Sequence, residues 1–136
     1  MVVLDTSVAY KWFTENEIHR DLAISILQMH LSEIEKILVP DLLFYELSNA
    51  WSTKTQIPVK KVVENLEVIY DYKLDVFTAD ISILKKAAKF SKDYHVSVYD
   101  AVYAVLAEEN NCELVTADEK FVNQVRLQFV KLLKFK

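Results

Sequence analysis

Apolar and polar positions along this chain follow two alternating periods. Short apolar runs at residues 2–4, 37–39, 74–77, 114–115 and 130–135 are each bounded by polar or turn-forming residues and predict strands. Between them, apolar residues recur at spacings of three and four. Leu22, Ile26, Met29 and Ile34 predict one long helix or two joined ones over 18–37; Phe44, Leu47 and Trp51 predict the next, and Val62, Leu66 and Ile69 a third. Ile83, Leu84, Ala87 and Phe90 mark a fourth helix, Ala101, Val102, Val105 and Leu106 a fifth, and residues 121–127 a last one. Pro40 stops the second strand, Asp41 offers a cap to the helix after it, and Pro58 suits a first helical turn. Lys131, Lys134 and Lys136 alternate along the final run, a common way to keep an edge strand from pairing further. Strand alternating with helix throughout predicts one α/β domain over 1–136, with a central parallel sheet of four or five strands flanked by helices.

The stretch VSVYDAVYAVLAEENNCELVTADEKF carries most of the candidate chemistry. It reads as a helix opening on Asp100, an Asn110-Asn111 stop, a short strand, and Asp118 where that strand ends. Asp5 follows the first strand directly, and Glu46 lies on the helix after the second, with Asn49 three residues on and so on the same face. Right-handed crossovers bring such strand ends to one side of a parallel sheet, where ligand groups collect. An aspartate at a helix start is equally well explained as a cap, stabilising by about 1 kcal/mol, and that reading stays open for Asp5 and Asp100. Glu46 is harder to explain so, because Leu43, Phe44, Leu47 and Trp51 surround it with apolar groups. Carboxylates about 5 Å apart repel by roughly 3 kcal/mol per pair at an effective dielectric of about 20. A divalent cation relieves that repulsion most simply, and all-oxygen donors favour Mg²⁺ or Mn²⁺ over zinc.

Composition narrows the choice. The 136 residues include no glycine, which excludes the phosphate-cradling and dinucleotide-binding loops and leaves Asn110-Asn111 as the obvious substitute at a left-handed helix end. A formal net charge of -4 argues against a broad basic surface for nucleic acid, although a metal site supplies positive charge locally. One cysteine, Cys112, forms no internal disulfide. With no leader-like opening and no apolar run long enough to span a bilayer, the expectation is a protein of the reducing cytoplasm without a membrane anchor.

In its segments VVLDTSVAYKWF, VPDLLFYELSNAW, VSVYDAVYAVLAEENNCELVTADEKF and VKLL, together nearly the whole chain, the sequence resembles the PIN-domain ribonucleases, in particular the VapC-type toxins of toxin-antitoxin pairs. The resemblance implies an acidic metal site of Asp5, Glu46, Asp100 and Asp118, with Thr6, Ser7, Asn49 and Thr116 as polar neighbours. It also implies Mg²⁺- or Mn²⁺-dependent cleavage of RNA, a partner antitoxin and homodimers. Asp5, Asp100 and Asp118 are the first choices as ligands; Glu46 serves as a ligand or as the group that orients or deprotonates the attacking water. Thr6 and Ser7 have a simpler reading as helix-capping residues.

Other residues are read more plainly. His95 is a candidate acid or, more simply, a surface loop residue, and Cys112 is a small buried hydrophobe. Trp12, Phe13, Tyr45 and Trp51 are candidates for base stacking or, at helical spacing, for the core. Lys11, Arg20, Lys54, Lys60 and Lys61 are candidate phosphate contacts or solvated surface. A phosphoryl-transfer enzyme with Asp5 as nucleophile would want a second Asp two positions on, where Ser7 stands. The remaining alternative is a nuclease-like fold that only binds RNA or protein.

Overall fold

The computed structural model describes residues 1–134. Its elements, in chain order, are β1 (Val2–Leu4), α1 (Thr6–Trp12), α2 (Arg20–Leu31), β2 (Ile37–Pro40), α3 (Leu42–Thr53), α4 (Val59–Asp71), β3 (Asp75–Phe77), α5 (Ile81–Tyr94), α6 (Val98–Glu109), β4 (Glu113–Thr116), α7 (Glu119–Val125) and β5 (Val130–Leu132). All five strands join one parallel sheet in the order β3-β2-β1-β4-β5. From β1 the chain builds outward through β2 and β3, then crosses back to add β4 and β5 on the other side. The switch point therefore lies between β1 and β4, the position where an open α/β sheet leaves a crevice at its carboxyl edge. There Leu4 pairs with Val115, so Asp5 and Thr116 follow side by side.

Helix α6 is the centre of the packing. Residues 101–107 are all buried, and the helix packs against α5 and against β1, β2 and β4. A helix apolar on every side belongs inside a domain, and alanines at 101, 104 and 107 leave room for close neighbours. Trp12 and Trp51 are 4% and 2% exposed, and Phe13 meets the Trp51 ring edge-on at 5.1 Å between centroids. Both tryptophans are thus core residues and leave neither base stacking nor self-association to rest on them; Tyr45 is exposed.

Several local expectations are corrected. The helix expected over 18–37 ends at Leu31, the chain turns through a left-handed Glu33, and Ile34 is exposed. Ala23, Leu27 and His30 form its buried stripe, and His30 Nδ1 accepts from the Ile37 amide, tying the turn to β2. Asp41 precedes α3 but makes no side-chain cap bond. Helix α6 opens two residues before Asp100, capped by Ser97. Of the run expected over 130–135, residues 130–132 form β5, while Phe135 and Lys136 lie outside the described residues. Without glycine, left-handed backbone falls to Asn16, His19, Glu33, Lys73, His95, Asn111 and Arg126. Asn111 takes the expected place and Asn16 is a second asparagine, a residue tolerant of this conformation; the His, Glu, Lys and Arg residues carry a cost of about 1–2 kcal/mol each.

Candidate active site

Asp5 is the best-held acid of the site. It ends β1 and caps α1, its Oδ1 accepting from the Ser7 amide at 3.1 Å and from Ser7 Oγ at 2.5 Å. Its Oδ2 accepts from Thr116 Oγ1 at 2.5 Å, across the switch point. Ser7 Oγ in turn accepts from the Ala117 amide at 2.8 Å, and Thr116 Oγ1 from the Asp118 amide at 3.1 Å. The loop after β4 is therefore sewn to the loop after β1 through two hydroxyls. Burial pushes the Asp5 carboxyl up to about 6; the Ser7 and Thr116 hydroxyls pull it down, and the charge of Asp100 adds to the rise. The capping reading of Thr6 and Ser7 is corrected: both lie inside α1, whose cap is Asp5; Ser7 instead holds Asp5 and the loop after β4, and Thr116 is fully buried at the join.

Glu46 projects from α3 into a second cluster. Its Oε1 accepts from Thr6 Oγ1 at 2.8 Å and from the Tyr103 hydroxyl at 2.5 Å, and those two hydroxyls lie 3.0 Å apart. The apolar surroundings that made this residue conspicuous are answered by two donors. Tyr103 is 2% exposed, and burial together with the Glu46 charge raises its phenol well above the ordinary range, so it remains a donor. The sequence reading did not single it out, although its spacing of three from Asp100 places both on one face of α6.

Asp100 and Asp118 complete the acidic edge. Asp100 is half-buried, with Ser97 Oγ accepting from its amide at 3.0 Å. Burial raises its carboxyl, the charges of Asp118 and Glu46 raise it further, and the Ser97 hydroxyl opposes them. Asp118 is exposed and caps α7, its Oδ1 accepting from the Phe121 amide at 3.1 Å. A cavity of ≈260 Å³ lies between these two acids and is also lined by His95 and Lys120, so His95 borders the site. The cap reading holds for Asp5 and not for Asp100, whose helix is capped by Ser97; Asp118 proves to be a cap as well. Asn49, one turn beyond Glu46, is exposed, and its carbonyl accepts from Thr53 Oγ1.

The four acids thus share one edge, and Asp100 feels the charges of Asp118 and Glu46 as Asp5 feels that of Asp100. Among the described residues, no three His, Cys, Asp or Glu side chains are drawn close enough to hold a metal ion. The donor chemistry nonetheless suits a hard divalent cation, since every group is a carboxylate oxygen.

A family model described as PIN domain matches residues 2–126. The chain belongs to the PIN-domain family. Among solved structures, a toxin-antitoxin complex from Klebsiella pneumoniae superposes with a TM-score of 0.74 at 13% identity, over 100% of both chains. VapBC2 of Rickettsia felis, bound to a DNA fragment from its promoter, gives 0.74 at 15% identity, again over 100% of both. VapC20 of Mycobacterium tuberculosis, a toxin that cleaves the sarcin-ricin loop, gives 0.69 at 11% identity over 90% of this chain and 94% of its own. At such identities the likeness is one of fold. No curated protein matches the chain significantly in sequence. Among the described residues, no helix is long and apolar enough to cross a membrane.

Proposed function

We propose that this PIN-domain protein is a divalent-metal-dependent endoribonuclease, the toxin of a VapBC-type pair, working in the cytoplasm. One observation carries the reading: a buried carboxyl, Asp5, at the switch point of the sheet, its pKa raised to about 6, within the field of Asp100. Asp5 caps α1 and holds Ser7 and Thr116, but those bonds do not need a full negative charge; a carboxyl raised by burial beside a second acid fits a role in binding a cation.

Asp5, Asp100 and Asp118 would hold Mg²⁺ or Mn²⁺, with Glu46 as a fourth ligand or as the group that orients the attacking water. When bound, the cation supplies charge neutralisation at the phosphate and lowers the pKa of water. Ser7 and Thr116 fix both oxygens of Asp5, which sets the orientation of its carboxylate. Thr6 and Tyr103 hold Glu46 on one oxygen and leave the other available. Asn49 extends the polar edge along α3. The test is Mn²⁺-dependent cleavage of RNA by wild type and by Asp100→Asn, with Asp80→Asn as control, because Asp80 only caps α5 through the Ile83 amide. Asp100→Asn is expected to lose activity and keep or slightly raise its thermal midpoint, whereas Asp80→Asn should cleave normally with its midpoint little changed, because asparagine caps a helix about as well as aspartate. Full cleavage by Asp100→Asn overturns the assignment, and absence of Mn²⁺ binding by calorimetry favours a non-catalytic RNA- or protein-binding module.

The likeness to the Klebsiella toxin-antitoxin complex supports an antitoxin partner for this chain as well. Self-association rests on other residues than the tryptophans: Val59, Val63 and Tyr70 of α4 are 77%, 47% and 71% exposed. Sedimentation at micromolar concentration is expected to give a dimer for wild type and a monomer for Tyr70→Asp. A monomer for wild type would remove the homodimer from the proposal.

A further inference from the structure

Beside the acidic edge, α1 packs against α3 and leaves a cavity of ≈410 Å³. Its inner end is made of Thr6, Ser7 and Ala117, residues of the hydrogen-bonded loops that hold Asp5 and Glu46. Tyr10, Lys11, Glu17 and Lys54 line the rest of it. Glu46 and Ala50 on α3 and Lys54, the residue that ends it, follow one another at intervals of four, with about 12 Å along the helix between the acid and the lysine. On α1, Tyr10 lies one turn beyond Thr6 and Ser7 in the same direction. Ala50, at the midpoint of α3's contribution, is the small residue that keeps the cleft open.

The two lysines differ in what they are free to do. Lys11 is 5% exposed, and its Nζ donates to the Ile18 carbonyl at 2.8 Å and to Glu17 Oε1 at 3.4 Å. Arg20 Nε adds a bond to the Lys11 carbonyl at 2.9 Å. Lys11 is therefore wall material, locking the 14–19 loop against α1, with Glu17 balancing its charge. Lys54 is exposed at the cleft mouth, on a flexible stem. Tyr10 is half-buried against the core and lines the cleft.

We propose that this cleft is the RNA subsite next to the scissile phosphate. Lys54 contacts a neighbouring phosphate and Tyr10 stacks on the adjoining base, so that a chain of net charge -4 guides RNA to an acidic edge through one local cation and one aromatic platform. The inference rests on the ribonuclease reading above. It identifies Lys54 and Tyr10 as positioning residues, which touch substrate away from the reacting atoms.

Binding of a single-stranded RNA oligonucleotide to the full chain carrying Asp100→Asn, followed by fluorescence anisotropy over a range of salt, separates the possibilities. Adding Lys54→Ala should weaken binding roughly three- to tenfold and lower the slope of log affinity against log salt by about 0.7, the value for one phosphate contact on a single strand. Tyr10→Ala should weaken binding roughly tenfold with little change in slope, and Tyr10→Phe should restore it, because stacking needs the ring and not the hydroxyl. Lys131→Ala, on the edge strand β5, should change neither. RNA bound with unchanged affinity and slope in Lys54→Ala, or equal losses in Tyr10→Ala and Tyr10→Phe, overturns the subsite and leaves the ribonuclease reading standing. No RNA binding by Asp100→Asn itself overturns both.

Discussion

Asp5→Asn is expected to abolish metal-dependent RNA cleavage, by a hundredfold or more, and at the same time to stabilise the metal-free protein near neutral pH. The activity loss follows from removing a ligand whose cation provides several kcal/mol of transition-state stabilisation. The stability gain follows from linkage. Asp5 has its carboxyl raised from 3.8 to about 6, chiefly by burial, so the folded state holds its proton more tightly than the unfolded chain does. Below about pH 4 both states are protonated and no penalty exists. As pH rises from about 4 to about 6 the folded state loses up to about 3 kcal/mol relative to the unfolded state, and above that the loss is constant. The variant has no such loss, so its thermal midpoint should exceed that of wild type at pH 7.5 and converge on it near pH 4. Mn²⁺ should reverse the order by raising the midpoint of wild type and not of the variant. A variant less stable than wild type at pH 7.5, with Mn²⁺ raising both midpoints equally, would make Asp5 a structural cap and nothing more.

The sequence pattern sufficed for the sheet because each strand is a short apolar run closed by a polar residue, and the parallel order follows from the helices between them. It also placed two of the acids by topology alone: Asp5 directly follows β1, and Asp118 stands two residues after β4. It was less informative about how each acid is held. Capping depends on backbone dihedrals a single residue apart, so Asp100 reads as a helix start while Ser97 performs that role and Asp41 makes no cap bond. Tyr103 escaped notice because a tyrosine among Ala101, Val102 and Val105 looks like core, which it also is; only the third dimension brings its hydroxyl to Glu46, 57 residues away. The burial of Trp12 and Trp51 was open for the same reason, since a helix's apolar face does not say whether protein or a partner covers it.

The join between the two loops should be the most sensitive structural point of the site. Thr116 is fully buried, donates to Asp5 Oδ2 and accepts from the Asp118 amide. Thr116→Val keeps the shape and removes both bonds. Loss of a hydrogen bond to a charged group costs about 1.5–3 kcal/mol, and the Asp118 amide left without its acceptor adds about 1 kcal/mol or more. The variant is therefore expected to be about 2–4 kcal/mol less stable at pH 7.5. Because the Thr116 hydroxyl is one of the groups holding the Asp5 carboxyl down, its removal should also move the acidic limb of the pH–activity profile to higher pH. Thr116→Ser retains the hydroxyl and should restore the profile even where stability is not fully recovered. Denaturant unfolding at pH 7.5 and cleavage rates from pH 5 to 8 provide both readouts. A Thr116→Val protein as stable as wild type with an unmoved acidic limb would mean that Asp5 is oriented by Ser7 alone and that the loop after β4 contributes nothing to its ionisation.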